Sequence, residues 1–378
     1  MGKKPKPRKI RTEFRKNREV RVRDRDLTRD IAEDASAHED AALSERVSGK
    51  GALTRQRTVV AADVVEDESG QTIVPDVDLD QCRRGRVLSI RGLLSDVEDE
   101  AGQVHRCATR RLLKTLSTDQ RHVVAVGDWV MFRPAENNEG IIERVEPRQR
   151  VISRTSRGRQ HIIVANVDQM LIVSSAAEPY LKPNLIDRML VTAEKNRLRP
   201  VICINKIDLV DPADLQPLVG VYGQMGYRVQ LISAREGWGM ARMRAEVCGK
   251  ATVVVGQSGV GKSSLLNAIE PGLALRVGEV SGETQKGKHT TTNACLIPLA
   301  QGGYVVDTPG VRQFQLWDVI PQEVAGFYRD LRPYVSLCRF PDCTHRHEAD
   351  CAVKNAVADG RLDARRYESY CQLIEGDG

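Results

Sequence analysis

From residue 82 onward the chain breaks into short apolar runs separated by turn-forming residues, and the spacing of those runs changes once. Runs at 85–90, 103–107, 123–126, 129–132 and 140–145 read as five strands, divided by turn formers such as Gly127-Asp128 and Asn137-Asn138-Glu-Gly140. Five short strands in so few residues predict a small closed barrel, with an OB-fold as the favoured architecture. Beyond residue 160 apolar runs at 170–173, 201–204, 229–232, 252–255 and 304–306 alternate with helical patterns at 183–197, 215–225, 239–247 and 262–269. That alternation predicts a mostly parallel sheet with helices on both faces. A helical pattern over 321–331, a cysteine cluster and a terminal helical stretch complete the chain. The first 80 residues hold one aromatic residue, Phe14, and little sustained periodicity, so disorder is expected there.

The chemistry sits just past the ends of the later strands. Gly256-Gln257-Ser258-Gly259-Val260-Gly261-Lys262-Ser263 fits the phosphate-cradling P-loop, with a strand before it and a helix after it, and Ser264 extends it. Its glycines let backbone N–H groups converge on phosphate, while the helix start adds positive potential. Lys262 is expected to reach the β- and γ-phosphates and Ser263 to bind Mg²⁺. Asn205-Lys206-Ile207-Asp208 is a base-reading motif, in which the Asp208 carboxylate suits guanine N1–H and the exocyclic amine. Ser233-Ala234 is expected to offer a backbone N–H to guanine O6.

Asp307-Thr-Pro-Gly310 supplies a carboxylate for the metal and a Gly310 N–H for the γ-phosphate. In the segment Gly287-Lys-His-Thr-Thr291, Thr290 or Thr291 is expected to give the metal a hydroxyl, and the sequence does not choose between them. Val311 stands where a water-orienting glutamine is usual, so His289 is the candidate for activating water; its other reading is an exposed loop histidine without a task. Here the base-reading motif precedes the P-loop, whereas ordinary P-loop GTPases place it afterwards. The order predicts a circularly permuted GTPase.

Cys338-x4-Cys343-x-His345-x5-Cys351 brings three thiols and an imidazole into one short segment, a donor set that selects Zn²⁺ and leaves no open position. His347 is the competing imidazole. Cys82, Cys107, Cys203, Cys248, Cys295 and Cys371 are scattered, and nine cysteines in total argue against a secreted disulfide framework. The tail begins roughly 30 residues beyond Asp307, so displacement of that loop is expected to pull on it.

Charge divides the leader. Residues 1–30 carry 13 Lys/Arg against 5 Asp/Glu, and 31–80 carry 4 against 12, so the net +6 belongs to residues 81–378. The basic arm is either a solvated tail or a tether to phosphate-rich RNA. On the barrel, Arg110, Arg111 and Arg121 are the candidates for gripping an RNA backbone, with Trp129 and Phe132 as the only stacking aromatics. The barrel's other reading is a module that merely docks on the next domain. No apolar run reaches the length of a membrane span and the N-terminus lacks a signal peptide's apolar core, so a cytoplasmic protein is expected.

Barrel, permuted GTPase and cysteine tail, in that order, resemble the RsgA (YjeQ) family. Local agreement extends to Gly127-Asp-Trp-Val130, Glu143-Arg-Val-Glu-Pro147, Gly256-Gln-Ser-Gly-Val-Gly-Lys-Ser-Ser264 and Asp307-Thr-Pro-Gly-Val-Arg312. The resemblance covers about residues 82–375. Beyond the leader at 1–80, expected to be disordered from its composition and a departure from the family's short N-terminus, it implies a multidomain protein: an OB-fold barrel at 81–155, a circularly permuted α/β P-loop GTPase domain at 156–317, and a mostly helical zinc-binding domain at 318–378. It further implies a monomeric cytoplasmic enzyme that hydrolyses GTP with Mg²⁺ when bound to the 30S ribosomal subunit, contacts 16S rRNA and uses His289 to activate water. The rival expectations are a nucleic-acid-binding zinc and barrel protein that does not hydrolyse its nucleotide, and a GTPase acting on another ribonucleoprotein or on tRNA.

Overall fold

The structure, a computed structural model, describes residues 77–110, 113, 123–156, 159–273, 294–307 and 321–375, together with five strands nearer the N-terminus. It divides into two compact units, 1–166 and 167–378.

Within the stretch whose composition predicts disorder, strands do form. β1 (Lys9–Glu13), β2 (Val47–Gly49) and β3 (Gln56–Val60) pair antiparallel in the order β1-β3-β2, and β4 (Ala62–Asp67) pairs with β5 (Gly70–Pro75) as a hairpin. The strands fall where β-branched residues cluster, at Thr58-Val-Val60, Val64-Val65 and Thr72-Ile-Val74. Composition averaged over the whole leader hides those local runs.

The barrel closes through β6 (Arg83–Arg91), β7 (Leu94–Asp99), β8 (Val104–Thr109), β9 (Trp129–Pro134) and β10 (Glu139–Val145), in the order β6-β7-β8-β10-β9 with β9 returning to β6. Only β8 and β10 run parallel. Val87, Val97, Cys107, Val130, Phe132 and Ile142 fill its interior. Five strands were expected, but one expectation was misplaced. Residues 123–126 are not a strand; Val124, Ala125 and Val126 are buried in a loop, where Val126 makes a single bridge to Val164. That loop is pinned instead by a buried ion pair. Asp128 accepts from Arg148 Nε and Nη2 at 2.7 and 2.8 Å and from the Ala125 N–H at 2.7 Å, and Arg148 also donates to the Val123 carbonyl.

The strand that hydrophobicity misses is β7. Its inward positions are Ser95, Val97 and Asp99, two of them polar. Asp99 is tolerated there because its carboxylate is satisfied by the Ala101 and Gln103 N–H groups and by His105 Nε2 at 3.0 Å. A second hairpin, β11 (Ile152–Ser156) with β12 (Arg159–Val164), follows the barrel and has no counterpart in the apolar pattern.

The second unit is built on a sheet ordered β15-β14-β13-β16-β18-β17. β13 (Gln169–Ser175), β14 (Arg199–Asn205), β15 (Arg228–Leu231), β16 (Ala251–Val255) and β18 (Tyr304–Asp307) are parallel, and β17 (Cys295–Pro298), unforeseen in the sequence, is antiparallel to β18. β16 is buried along its whole length, as a parallel strand covered on both faces must be. α1 (Pro183–Lys195), α2 (Gln216–Gln224), α3 (Met240–Val247) and α4 (Lys262–Ile269) fall within the helical patterns. α3 and α4 pack with Leu171, Val173, Val201 and Val254 in one core. α1 lies on β13 and β14 and also carries the C-terminal segment against it.

That segment holds α5 (Val324–Phe327), α6 (Arg332–Val335), α7 (Ala352–Ala358) and α8 (Ala364–Glu375). The continuous helix expected over 321–331 is instead one 3-10 turn and the short α5, ended at Tyr328, whose backbone is extended and whose ring is fully buried. Among the described residues no helix is long and apolar enough to cross a membrane.

Candidate functional site

The parallel sheet delivers three of the sequence motifs to one place, and a single side chain ties them together. Asn205, 2% exposed at the end of β14, donates from Nδ2 to the Val260 carbonyl of the P-loop at 2.9 Å. Its Oδ1 accepts the Ala234 N–H at 3.0 Å. The glycines have local reasons of their own. A Cβ on Gly256 would lie 2.1 Å from the Val173 carbonyl oxygen, and one on Gly261 would lie 2.5 Å from Asn205 Nδ2. Gly259 and Gly261 also hold φ of 83° and 89°, which side-chain-bearing residues rarely adopt.

Lys262 begins α4 and lies across the loop, donating to the Gly256 and Gln257 carbonyls at 2.8 and 2.7 Å. Ser263 and Ser264 follow in the first turn, half-buried, while Ser258 is exposed and Val260 buried. Lys206 takes a left-handed backbone (φ 63°) and donates to the Glu178 carbonyl. This partner, in the loop after β13, carries no sequence signal because it is a backbone atom. Asp208 is half-buried, and its Oδ1 is a buried atom without a hydrogen-bond partner. Such an oxygen is costly unless something donates to it.

The Ala234 N–H, expected to meet guanine O6, donates to Asn205 Oδ1, and the Ser233 N–H donates to the Trp238 carbonyl at 3.1 Å. Ser233 Oγ closes the same turn by accepting the Glu236 N–H. Asp307 ends β18 opposite Cys295. His289, Thr290, Thr291 and Gly310 lie outside the described residues.

In the tail, Cys338, Cys343, His345 and Cys351 place one ligand atom each within 4.8 Å of one another. Cys338 Sγ is 3.4 Å from His345 Nδ1 and 3.8 Å from Cys351 Sγ, and Cys351 Sγ is 3.5 Å from Nδ1. A tetrahedron with ordinary Zn–S and Zn–N bonds has edges of about 3.8 Å between sulfurs and about 3.6 Å between sulfur and nitrogen. The donor set fits zinc, with Nδ1 as the imidazole donor. His347 is excluded from it, its side chain being 82% exposed.

The loop is shaped by Glu348, which accepts from the Thr344 N–H and hydroxyl and the Arg346 N–H, hydrogen bonds that hold its carboxyl well below the usual range against the opposing effect of burial. Tyr367 and Tyr370 donate to the His345 and Thr344 carbonyls at 2.7 and 2.9 Å. Burial first, then the neighbouring Cys351 and Cys338, pushes the Cys343 thiol up to about 12. Burial also lowers the His345 imidazole, favouring the neutral form that ligates metal.

Residues 145–317 match the family model described as RsgA GTPase. A curated relative, the small ribosomal subunit biogenesis GTPase RsgA of Sodalis glossinidius, is 37% identical over 343 residues, covering 88% of this chain and 97% of that protein. The chain belongs to the RsgA GTPase family. It is therefore an enzyme that acts on GTP. A family member from Thermotoga petrophila is 40% identical, with 77% of this chain and 96% of that protein covered. Two solved structures are also similar: YjeQ from Thermotoga maritima, with a TM-score of 0.65, 37% identity and coverage of 78% of this chain and 98% of that one, and YloQ, described as a circularly permuted GTPase, with a TM-score of 0.62, 31% identity and coverage of 78% and 94%. The rotated order of motifs is thus the permutation of this family.

The segment that holds the barrel carries the charge of this family member. Residues 81–166 hold 16 Lys/Arg against 10 Asp/Glu, while 167–378 hold 24 against 24, so the excess of +6 lies entirely within 81–166. Of the expected gripping residues, Arg110 is committed to the buried Glu143 at 2.7 Å, and Arg111 and Arg121 lie outside the described residues. Phe132 is core, and the Trp129 ring is capped by Arg84 at 4.3 Å and Arg86 at 5.1 Å. Arg84, exposed on β6, has no spacing in the sequence that marks it out.

Proposed function

We propose that this GTPase couples hydrolysis of GTP to late maturation of the small ribosomal subunit in the cytoplasm, binding 16S rRNA and turning over in response to the 30S particle. Its curated relatives carry the name small ribosomal subunit biogenesis GTPase. The observation that carries the nucleotide assignment is the buried, unpartnered Oδ1 of Asp208 beside a P-loop fastened by Asn205. Guanine N1–H and its exocyclic amine satisfy that carboxylate, and adenine does not.

Residues Gly256 to Ser264 would cradle the phosphates, with Lys262 leaving the loop carbonyls for the β- and γ-oxygens. Ser263, Asp307 and Thr290 or Thr291 would hold Mg²⁺, which neutralises charge developing on the phosphoryl group. Gly310 offers its N–H to the γ-phosphate, and His289 orients or deprotonates the attacking water. Cys338, Cys343, His345 and Cys351 would hold one structural Zn²⁺. The segment 81–166 with its +6 surplus, barrel included, and the basic arm at 1–30 are the surfaces suited to rRNA. The functional division into leader 1–80, barrel 81–155, GTPase 156–317 and zinc module 318–378 follows from these roles, and the chain acts as a monomer.

Single-turnover GTP hydrolysis measured with purified 30S subunits, 50S subunits and tRNA tests this reading. Stimulation by 30S alone is expected, abolished in Lys262→Ala and strongly reduced, with nucleotide affinity nearly intact, in His289→Ala. Equal rates with all three additives would overturn the ribosomal assignment, and an unchanged rate in His289→Ala would remove that residue from the mechanism.

A further inference from the structure

At the edge of the parallel sheet opposite the nucleotide motifs, three cations converge on one carboxylate. Arg199 at the start of β14, Arg228 at the start of β15 and Lys250 just before β16 approach Glu246 of α3 at 3.0, 2.7 and 3.0 Å. The exposures are opposed. Glu246 is 4% exposed, whereas Arg228, Arg199 and Lys250 are 64%, 40% and 30% exposed. The carboxylate is therefore a buried floor and the cations are the face presented to solvent, a surplus of two positive charges over Glu246 and of one when the half-buried Asp168, which accepts the Ala251 N–H at the same end of the sheet, is counted.

Glu246 is anchored from within, since its backbone carbonyl accepts from the fully buried Gln169 at 3.0 Å. Burial opposes its ionisation, but hydrogen bonds from Lys250 and Arg228 overcome this and hold it below the ordinary carboxylate range, so it stays charged and keeps the cations in place.

A pair needed only to neutralise Glu246 would take one cation. Three, in a unit whose total charge balances at 24 against 24, form a local island of positive potential. Each arginine meets Glu246 through Nη1, and an arginine has five N–H donors in all. Guanidiniums already oriented by a buried carboxylate lose little freedom on meeting a second anion, which favours bidentate capture of phosphate oxygens.

We infer that Arg199, Arg228 and Lys250, fixed by Glu246, form an RNA-backbone contact on the GTPase unit, separate from the barrel and from the nucleotide site. This rests on the proposal that the protein binds the 30S particle through its rRNA.

The test measures affinity for 30S subunits, and for purified 16S rRNA, against salt concentration. Wild type, Arg228→Gln, the Arg199→Gln/Arg228→Gln pair and Glu246→Gln are compared, with melting temperature and intrinsic GTP turnover as controls. Each arginine removed is expected to flatten the log-log salt slope by about 0.7–0.9, one phosphate's worth, with intrinsic turnover unchanged. Glu246→Gln removes the floor's charge and is expected to keep the slope or steepen it. A mere structural clamp predicts the reverse pattern: a wild-type slope in the arginine variants, with loss of stability in all three; that result overturns the inference. Loss confined to 30S and absent with naked rRNA would assign the patch to an acidic protein and sink the RNA reading. Failure of the wild type to bind either particle would instead fall on the proposed function beneath it.

Discussion

Asn205 and Asp208 sit three positions apart and do different work. Asn205 bonds Val260 and Ala234 through its amide and so holds the P-loop and the 233–238 turn in register. Asp208 keeps a buried oxygen without a partner, the mark of a group that waits for a donor. Asp208→Asn is therefore expected to weaken guanine nucleotide binding by about 1–3 kcal/mol, the cost of an unmatched buried polar group, and to favour xanthine nucleotides, whose C2 carbonyl suits an amide donor. Competition between GTP and XTP for the variant measures this, and full GTP affinity with no XTP binding would count against the assignment.

At the scale of elements, the C-terminal segment is fastened to α1 rather than hung on a tether. Asp187, fully buried on α1, meets Arg366 and Arg365 of α8 and accepts from Tyr222 of α2 at 2.7 Å. Arg366 is itself 1% exposed, bonds Asp330 at 2.9 and 3.0 Å, and stacks over Tyr328 at 4.3 Å. A second clamp joins Arg329 to Glu194 at 2.6 Å, with the guanidinium over Tyr227. Displacement of the Asp307 loop would thus have to move the tail against this docking.

Breaking a buried pair from one side leaves an uncompensated charge, so Asp187→Asn should cost about 3–5 kcal/mol of unfolding free energy in urea denaturation. A loss below about 1 kcal/mol would show that Asp330 alone suffices for Arg366. The zinc cluster is the other element-scale device. Metal analysis should find one Zn²⁺ per chain, lost in Cys343→Ser and retained in His347→Ala, and chelation should unfold the segment around 338–351. Structural zinc contributes roughly 10–16 kcal/mol to small peptide folds, far more than the side-chain contacts of so short a loop.

Across the whole molecule, charge is distributed by segment: a basic arm at 1–30, an acidic stretch at 31–80, a surplus of +6 over 81–166, and a balanced 167–378. Uniform mixing would give the same total with no directed field. Removing residues 1–30 takes away 13 Lys/Arg and 5 Asp/Glu, and is expected to flatten the salt dependence of 30S binding while guanine selectivity and zinc content stay unchanged. Identical affinity and slope after truncation would leave the arm a solvated tail.

The sequence by itself determined the parallel sheet, because fully buried strands read as continuous apolar runs and each motif follows one of them. It determined the permutation as well, since motif order is a property of the chain alone, and it marked the cysteines of the candidate zinc cluster, because thiols at close spacing have few other uses, while the choice of His345 over His347 came from the fold. Tertiary structure decided what depends on neighbours distant in the chain. β7 was invisible because two of its inward positions, Ser95 and Asp99, are polar, and only the folded turn shows the Gln103 N–H and His105 converging on the Asp99 carboxylate. Residues 123–126 look like a strand, yet the Asp128–Arg148 pair bonds their backbone and leaves no ladder to join. Nor does a motif show that Asn205 accepts the Ala234 N–H, 29 positions later in the chain. Nor could composition show that Arg199, Arg228 and Lys250, each unremarkable in sequence, share one buried carboxylate. Apolar patterning records which face of an element is buried; the partner of a polar group is chosen only when the fold brings two distant segments together.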